Sequence, residues 1–420
     1  MFRPLLLLCA LLLPAPRAAC AAASHPSALP AKSAAFGVAA HGNVSIEWWY
    51  VNAHVATKTG HRYALIGSFF QFGNGRSPFD PAAAAPRAHY LIYAVTDLDN
   101  KTQRSYSLGD GAMVAYLKQI APFLVVQNPH DTGAHALLAA LNAGRLPVPH
   151  QQFPGKAVVA ARPFRLAYGV NTLAADNAAN TAFTLDLGAN ERDKVHLTLH
   201  SQKPPMAVGG KGETGLRRSN DMYYFSLTRC AVGGTLDTGH GPEAIAGGDG
   251  WFDHQWGNSW VASNDGWDWW GVQLANGTDI LCFRQRDLKT GKVFFPLATF
   301  MDKDGHQTVT KNIVFAPDKS AVWKSPRTGV SYPLAWRVSF PDHNLSLRIT
   351  TPVKSQEMPI LGPGSGIWEG TCDVAATPLR GLHHGRNPLP RVNGTAYMEL
   401  VGYGSPAVKA QTAKRAAKAK

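Results

Sequence analysis

Trp267-Asp268-Trp269-Trp270-Gly271-Val272-Gln273-Leu274 and Ile280-Leu281-Cys282-Phe283-Arg284-Gln285-Arg286 are two apolar, aromatic-rich runs, and Asn276-Gly277 sits between them. An Asn-Gly pair supplies the positive φ angles that a two-residue hairpin turn requires, so the stretch reads as two antiparallel strands. Working outward, the same texture recurs. Short apolar or alternating runs at Ser45–Ala56, His61–Phe72, His89–Asp97, Phe164–Tyr168, Thr181–Leu187, Val195–Ser201, Met222–Cys230 and Lys292–Met301 are separated by Gly, Asn and Asp. Lys289-Thr290-Gly291 and Asp302-Lys303-Asp304-Gly305 read as two further turns. Many short strands with few helical periods imply sandwiches or barrels. The chief exception is Thr132–Leu146, where Ala136, Leu137, Leu138, Leu141 and Leu146 recur at helical spacing behind Asp131 as a cap. It predicts a short helical insertion on a β scaffold.

Of 420 residues, 45% are hydrophobic, too many for a disordered chain, and 16% are charged. The 40 Gly and 29 Pro follow no period, which excludes collagen. A net charge of +13 invites a nucleic-acid reading, but its location argues otherwise. Five of the excess cations lie in the tail 406–420 and two in residues 1–23, leaving +6 for the body. No nucleic-acid motif accompanies them. The tail reads as a solvated end, with peripheral contact to an anionic membrane surface as the alternative.

Arg3, the apolar run Leu5–Leu13, Pro14 and Pro16, then small residues at Ala18–Ala23 have the order of a cleaved export signal. The run is shorter than the roughly 20 residues that span a bilayer. A secreted or periplasmic protein is expected. The expected organisation is a signal peptide at 1–23, a linker at 24–35, a first β domain at 36–257, a second at 258–405 and the basic tail at 406–420. Beyond the signal, Cys230, Cys282 and Cys372 form an odd set without a CxxC spacing. That disfavours a thiolate zinc site and leaves two readings: one disulfide plus a free thiol, or three small buried hydrophobes.

Candidate chemistry gathers in three places. In the first, Glu47-Trp48-Trp49-Tyr50, a strand places Glu47 and Trp49 on one face and Trp48 and Tyr50 on the other. Glu47 is either an acid poised beside indoles or a hydrogen-bond acceptor at a strand start. The second stretch is Gly247-Gly248-Asp249-Gly250-Trp251-Phe252-Asp253-His254-Gln255-Trp256-Gly257. Six of the 11 Trp fall between 251 and 270, a density suited to an apolar pocket. A carboxyl there has its pKa raised by desolvation and can act as a general acid. Asp253 is that candidate; the alternative is a turn-forming Asp within a Trp-rich interface. The third place, Ile367-Trp368-Glu369-Gly370 with Gly394–Tyr403, reads as closing strands, with Glu369 and Glu399 taken as structural. His383-His384 reads as a solvent-facing loop pair. No nucleophile elbow, P-loop or HExxH is present, and neither metal nor cofactor is expected.

Five motifs occur in order: Glu47–Tyr50, Asp221-Met222-Tyr223-Tyr224-Phe225-Ser226, Gly250–Gly257, Trp368-Glu369-Gly370 and Tyr397–Tyr403. Over about residues 36 to 404 this set resembles the carotenoid 1,2-hydratase / AttH-like, lipocalin-related family, which includes bacterial proteins of the predicted secreted hydrolase type. The resemblance implies an all-β fold of two lipocalin-like antiparallel β-barrel domains packed together, with an apolar pocket near their junction. It implies that Asp253 protonates a C=C bond, in hydration or in cyclisation, of an isoprenoid or similar lipid. Trp251 stands where the hydratases carry a tyrosine, and their upstream His-x-Trp pair has no counterpart in Met222–Leu227. Glu47 is the second catalytic candidate. Trp48, Trp49, Tyr224, Trp251, His254, Trp256, Trp267 and Trp269 are the candidate ligand-binding residues. A non-enzymatic lipid carrier is the alternative, and a hydrolase of unknown substrate stands third.

Overall fold

The computed structural model describes residues 37–404 except 77–84, 128–131, 189–191, 215–221, 259–264, 288–289, 362–365 and 380–390. The expected signal, linker and basic tail, the Asp131 cap, Asp221, Trp260 and the His383-His384 pair lie outside the described residues.

Antiparallel pairing dominates. Among the described residues one sheet has thirteen strands, a second has ten, and a two-stranded ribbon pairs Val322–Lys324 with Ser331–Pro333. The strands of the first sheet fall between Ile46 and Gly257, and those of the second between Asp265 and Leu400. Each sheet curls into a half-barrel, and no ladder joins its two end strands among the described residues. The Asn276-Gly277 hairpin connects Asp265–Leu274 to Asp279–Asp287, and Gly277 takes φ +83, which a side chain would resist.

The period-two alternation of the strands sorts their side chains into three large cores and a small cluster of Val44, Phe225 and Trp256. Along Ile46–Thr57, Trp49, Val51, Ala53 and Val55 enter a core made from the first sheet alone, with Phe69, Phe183 and Phe252. Trp270, Val272, Cys282, Trp336 and Trp368 enter a core of the second sheet alone. The opposite faces meet in a third core, which joins Tyr50, Tyr90, Tyr224 and Trp251 of the first sheet to Trp269, Leu281, Phe283 and Tyr397 of the second. Each buried aromatic ring withdraws about 150–250 Å² from water, at ~25 cal/mol per Å². This third core therefore binds the two sheets into one body.

Thr132–Asn142 is helical, as the spacing predicts, and packs on a second helix, Gly111–Gln127, that the sequence reading does not contain. Pro122 lies inside that second helix, where a proline interior ordinarily costs about 3 kcal/mol. Its start is nonetheless capped, since the Met113 backbone N–H donates to the Asp110 carboxylate at 2.7 Å. Burial of Met113, Val114, Leu117 and Ala121 against the third core outweighs the proline. Cys230, Cys282 and Cys372 are free and buried, which selects the second of the two cysteine readings.

Polar ties also span the sheets. Asp279 of the second sheet is fully buried and accepts from Lys203 at 2.6 Å, Arg229 at 2.7 Å and Thr228 at 2.9 Å, all from the stretch that builds the first sheet. The Gln273 amide donates to the carbonyls of Thr228 and Gly250. Asp279→Ala leaves two buried cations without their shared acceptor, so chemical denaturation should show a loss of about 3–5 kcal/mol. A loss below ~1 kcal/mol would mean that the third core alone holds the sheets together.

Candidate functional site

Three neighbouring strands of the first sheet set the site. Met222–Asp237 pairs with Pro242–Gly257, which pairs in turn with Ile46–Thr57. The register puts Asp253 directly between Tyr50 and Ser226, with Tyr224 two residues along on the same face. Alternation sends Trp251, Asp253 and Gln255 toward the third core, and Phe252, His254 and Trp256 the other way. From the second sheet a row of side chains answers. Trp269 stands opposite both Phe283 and Glu399, and Glu399 stands opposite Glu369.

Between these two rows lies a cavity of about 100 Å³. Trp48, Phe70, Phe72 and Tyr90 form much of one wall, while Trp267, Trp269, Phe283 and Ile367 form the other. Such an apolar enclosure with a few convergent polar groups is the usual form of a small-molecule site. Asp253, Glu369 and Glu399 are its three carboxyls.

Asp253 is 2% exposed and held from two sides. The Tyr224 hydroxyl donates to one carboxyl oxygen at 2.8 Å, and the Trp251 indole N–H donates to the other at 2.6 Å. The Trp269 indole N–H donates to the Tyr224 hydroxyl at 3.0 Å, so a chain of hydrogen bonds runs from the second sheet to the carboxyl. Burial pushes the Asp253 pKa up to about 7, against the pull of these donors. Burial likewise raises Glu399 to about 7 and Glu369 well above the carboxylate range, and charge repulsion between the two glutamates adds to the rise in Glu369.

The sequence-predicted set is divided between the two faces of the same strands. Asp253, Trp48, Tyr224, Trp267 and Trp269 line the cavity, and Trp251 lies behind Asp253 as its hydrogen-bond donor. Glu47, Trp49, His254 and Trp256 point to the opposite side of the sheet. There Glu47 accepts from the His41 backbone N–H at 2.9 Å and meets the His41 ring at 2.7 Å and the His254 ring at 2.8 Å. Trp49 stacks on His254, and its indole N–H donates to the Val38 carbonyl. His41 stacks on Trp256 at 4.2 Å. The arrangement is a clasp that pins the segment from Gly37 to His41 across the back of the sheet, on the face opposite the cavity.

Burial pulls the His254 pKa down, yet its Nδ1 faces the Gly37 carbonyl at 2.7 Å and its Nε2 faces Glu47. Only the imidazolium satisfies two acceptors in full. For Glu47 burial works upward, but the hydrogen bonds and charges of His254 and His41 prevail and hold it below its usual value. The ligand atoms of His41, Glu47 and His254 lie within 4.8 Å of one another, the donor set of a two-His, one-carboxylate metal site; each already serves the clasp. Asp302, Asp304 and His306 form a second such group in an exposed turn.

Sequence reasoning missed Glu369 and Glu399 as cavity residues, along with Phe70, Phe72 and Tyr90. A signal for the glutamates existed in the alternation of Gly394–Tyr403, which puts Tyr397 and Glu399 on one face, but nothing local says that this face meets the first sheet.

Comparison with known proteins accords with this architecture. The AttH-like family model matches residues 126–403, about two thirds of the chain. The chain belongs to the AttH-like family. Among curated proteins it is 30% identical over 166 residues to the dehydratase asqC of Emericella nidulans, a match covering 38% of this chain and 46% of that protein. The chain thus spans about half the length of this relative. Among solved structures, an AttH of Nitrosomonas europaea aligns with TM-score 0.63 at 20% identity, over 89% of this chain and 98% of that one. Kievitone hydratase of Nectria haematococca aligns with TM-score 0.60 at 15% identity, over 85% and 89%. At these identities the likeness to the solved structures is one of fold.

Two predictions follow from the geometry of this AttH-like chain. Glu47→Ala leaves the buried His254 ring and the His41 ring without their shared acceptor and frees the segment at 37–41. Stability should fall by about 3–5 kcal/mol in denaturant, with hydrogen exchange at 38–41 accelerated more than at the cavity strands. Asp253 carries the opposite expectation. Its folded pKa of about 7 lies above its unfolded value, so its contribution to stability is complete below about pH 4 and lost as pH rises through 7. Asp253→Asn should therefore melt higher than the wild type at pH 8 and nearly level with it at pH 4. An equal offset at both values would contradict the buried acid.

Proposed function

We propose that the protein adds water to a carbon–carbon double bond of an apolar ligand, or removes it again, with Asp253 as proton donor. One observation carries the reading: a carboxyl whose pKa burial raises to about 7, oriented by Tyr224 and Trp251, on the wall of an aromatic cavity. Protonating an unactivated alkene requires an acid shielded from water. The cation formed would lie among indole and phenol faces, each contributing about 0.5–2 kcal/mol. The hydratase and dehydratase activities named for two of the relatives support the same reaction class. The apolar lining supports an isoprenoid or comparable lipid as ligand. Cyclisation is the variant in which a second double bond captures the cation before water does.

A carrier without turnover is the second reading, favoured by the fact that both Asp253 oxygens already accept a hydrogen bond, as a structural carboxyl would. Incubation with geraniol, farnesol and squalene in ¹⁸O-labelled water, followed by mass spectrometry, separates the two. The expected result is a labelled alcohol from at least one of them, with Asp253→Asn slowing its formation by about 10²-fold or more. The rate should fall above about pH 7 as the acid form is lost. Quenching of Trp fluorescence with no product supports the carrier, and turnover that survives Asp253→Asn removes Asp253 from the reaction.

A further inference from the structure

Hydration has a second half, in which the attacking water must lose a proton. The cavity holds a group for that task on its other wall. Glu369 and Glu399 are a directly opposed pair on the strands Gly366–Pro378 and Val392–Leu400, so their Cβ atoms stand about 5 Å apart. Both line the cavity. Glu369 is 2% exposed, and its Oε1 has no hydrogen-bond partner. Tyr50, which belongs to the Asp253 sheet, stands near the same carboxyl group, and Trp267 bonds Glu399. A buried carboxyl oxygen left unpaired is ordinarily destabilising. This one belongs to a residue that lines the cavity, which marks it as an acceptor for a donor the ligand or its water brings.

We propose that Glu369 and Glu399 act as one proton-sharing pair with a single negative charge, which accepts the proton that water releases as it adds to the substrate. The inference rests on the water-addition reading above. In the forward step the Asp253 O–H bond breaks and its proton forms a C–H bond at one alkene carbon. The water oxygen bonds the adjacent carbon, and one water O–H bond breaks as its proton passes to the glutamate pair. Nothing is oxidised or reduced. Asp253 is left as carboxylate and the pair fully protonated, and a proton returns from the pair to Asp253 through water before the next cycle. Elimination runs the same steps in reverse. The ligand class that follows is an apolar body whose reacting carbon, later its hydroxyl, is presented to the Glu369 wall.

The charge can be tested without knowing the substrate. N,N-dimethyloctylamine is an ammonium ion at neutral pH and imitates the cation; the branched hydrocarbon with CH in place of its nitrogen is the neutral control. Quenching of Trp fluorescence should show the wild type binding the amine about tenfold more tightly than the control. The Glu369→Gln/Glu399→Gln double variant should lose that preference while keeping the control affinity within about twofold. Melting curves establish that the variant is folded, and the wild-type preference stands as a test by itself. For an alkene that the wild type hydrates, Glu369→Gln should lower kcat about 10²-fold with KM nearly unchanged. Equal binding of the two probes by the wild type, or a preference that survives the double substitution, overturns the assignment of the pair and leaves Asp253 untouched. Failure of both probes to bind overturns the cavity reading and this inference with it.

Discussion

The hydrogen-bond chain from Trp269 through Tyr224 to Asp253 sets the character of the whole molecule, because its members come from two different sheets. Neither half-barrel can complete the cavity alone. The first sheet brings the acid and its donors; the second brings the indole that orients the phenol and the opposing glutamates. The shared apolar core holds those groups at hydrogen-bonding distance, and the buried Asp279 cluster fixes one sheet against the other. Packing, in this sense, is what converts two ordinary β sheets into an electrostatic environment. A carboxyl that would ionise freely in water stays near its neutral form only because the second sheet covers it.

Much of this was legible in sequence. The Asn276-Gly277 hairpin, the alternating runs and the Trp density between 251 and 270 sufficed for an all-β chain with an aromatic pocket, and the ordered motifs indicated the family that the comparisons show. The helix Gly111–Gln127 escaped notice because Pro122 interrupts it and its apolar residues do not confine themselves to one stripe. Its stability comes from the core it covers, and that core is assembled from strands far away in sequence.

The candidate site was half legible, for a reason intrinsic to β structure. Consecutive residues of a strand face opposite ways, so a motif such as Asp253-His254 or Glu47-Trp48 belongs to two places at once. Composition groups Trp48 with Trp49; the pleat separates them, one to the cavity and the other to the clasp. Glu369 and Glu399 carried the converse difficulty. Thirty residues apart in sequence, they become a pair only through strand register, and the pair acquires meaning only when Asp253 lies across from it.

The three buried free thiols have a consequence of their own. In Cys230, Cys282 and Cys372 burial raises each thiol well above its usual pKa, so almost no thiolate exists at neutral pH. Oxidants and thiol reagents act on thiolates, and here they find none. At these three positions the fold is thereby uncoupled from the redox potential around it. Neither a reducing nor an oxidising surrounding offers the native state a covalent bond to break or to make at these positions.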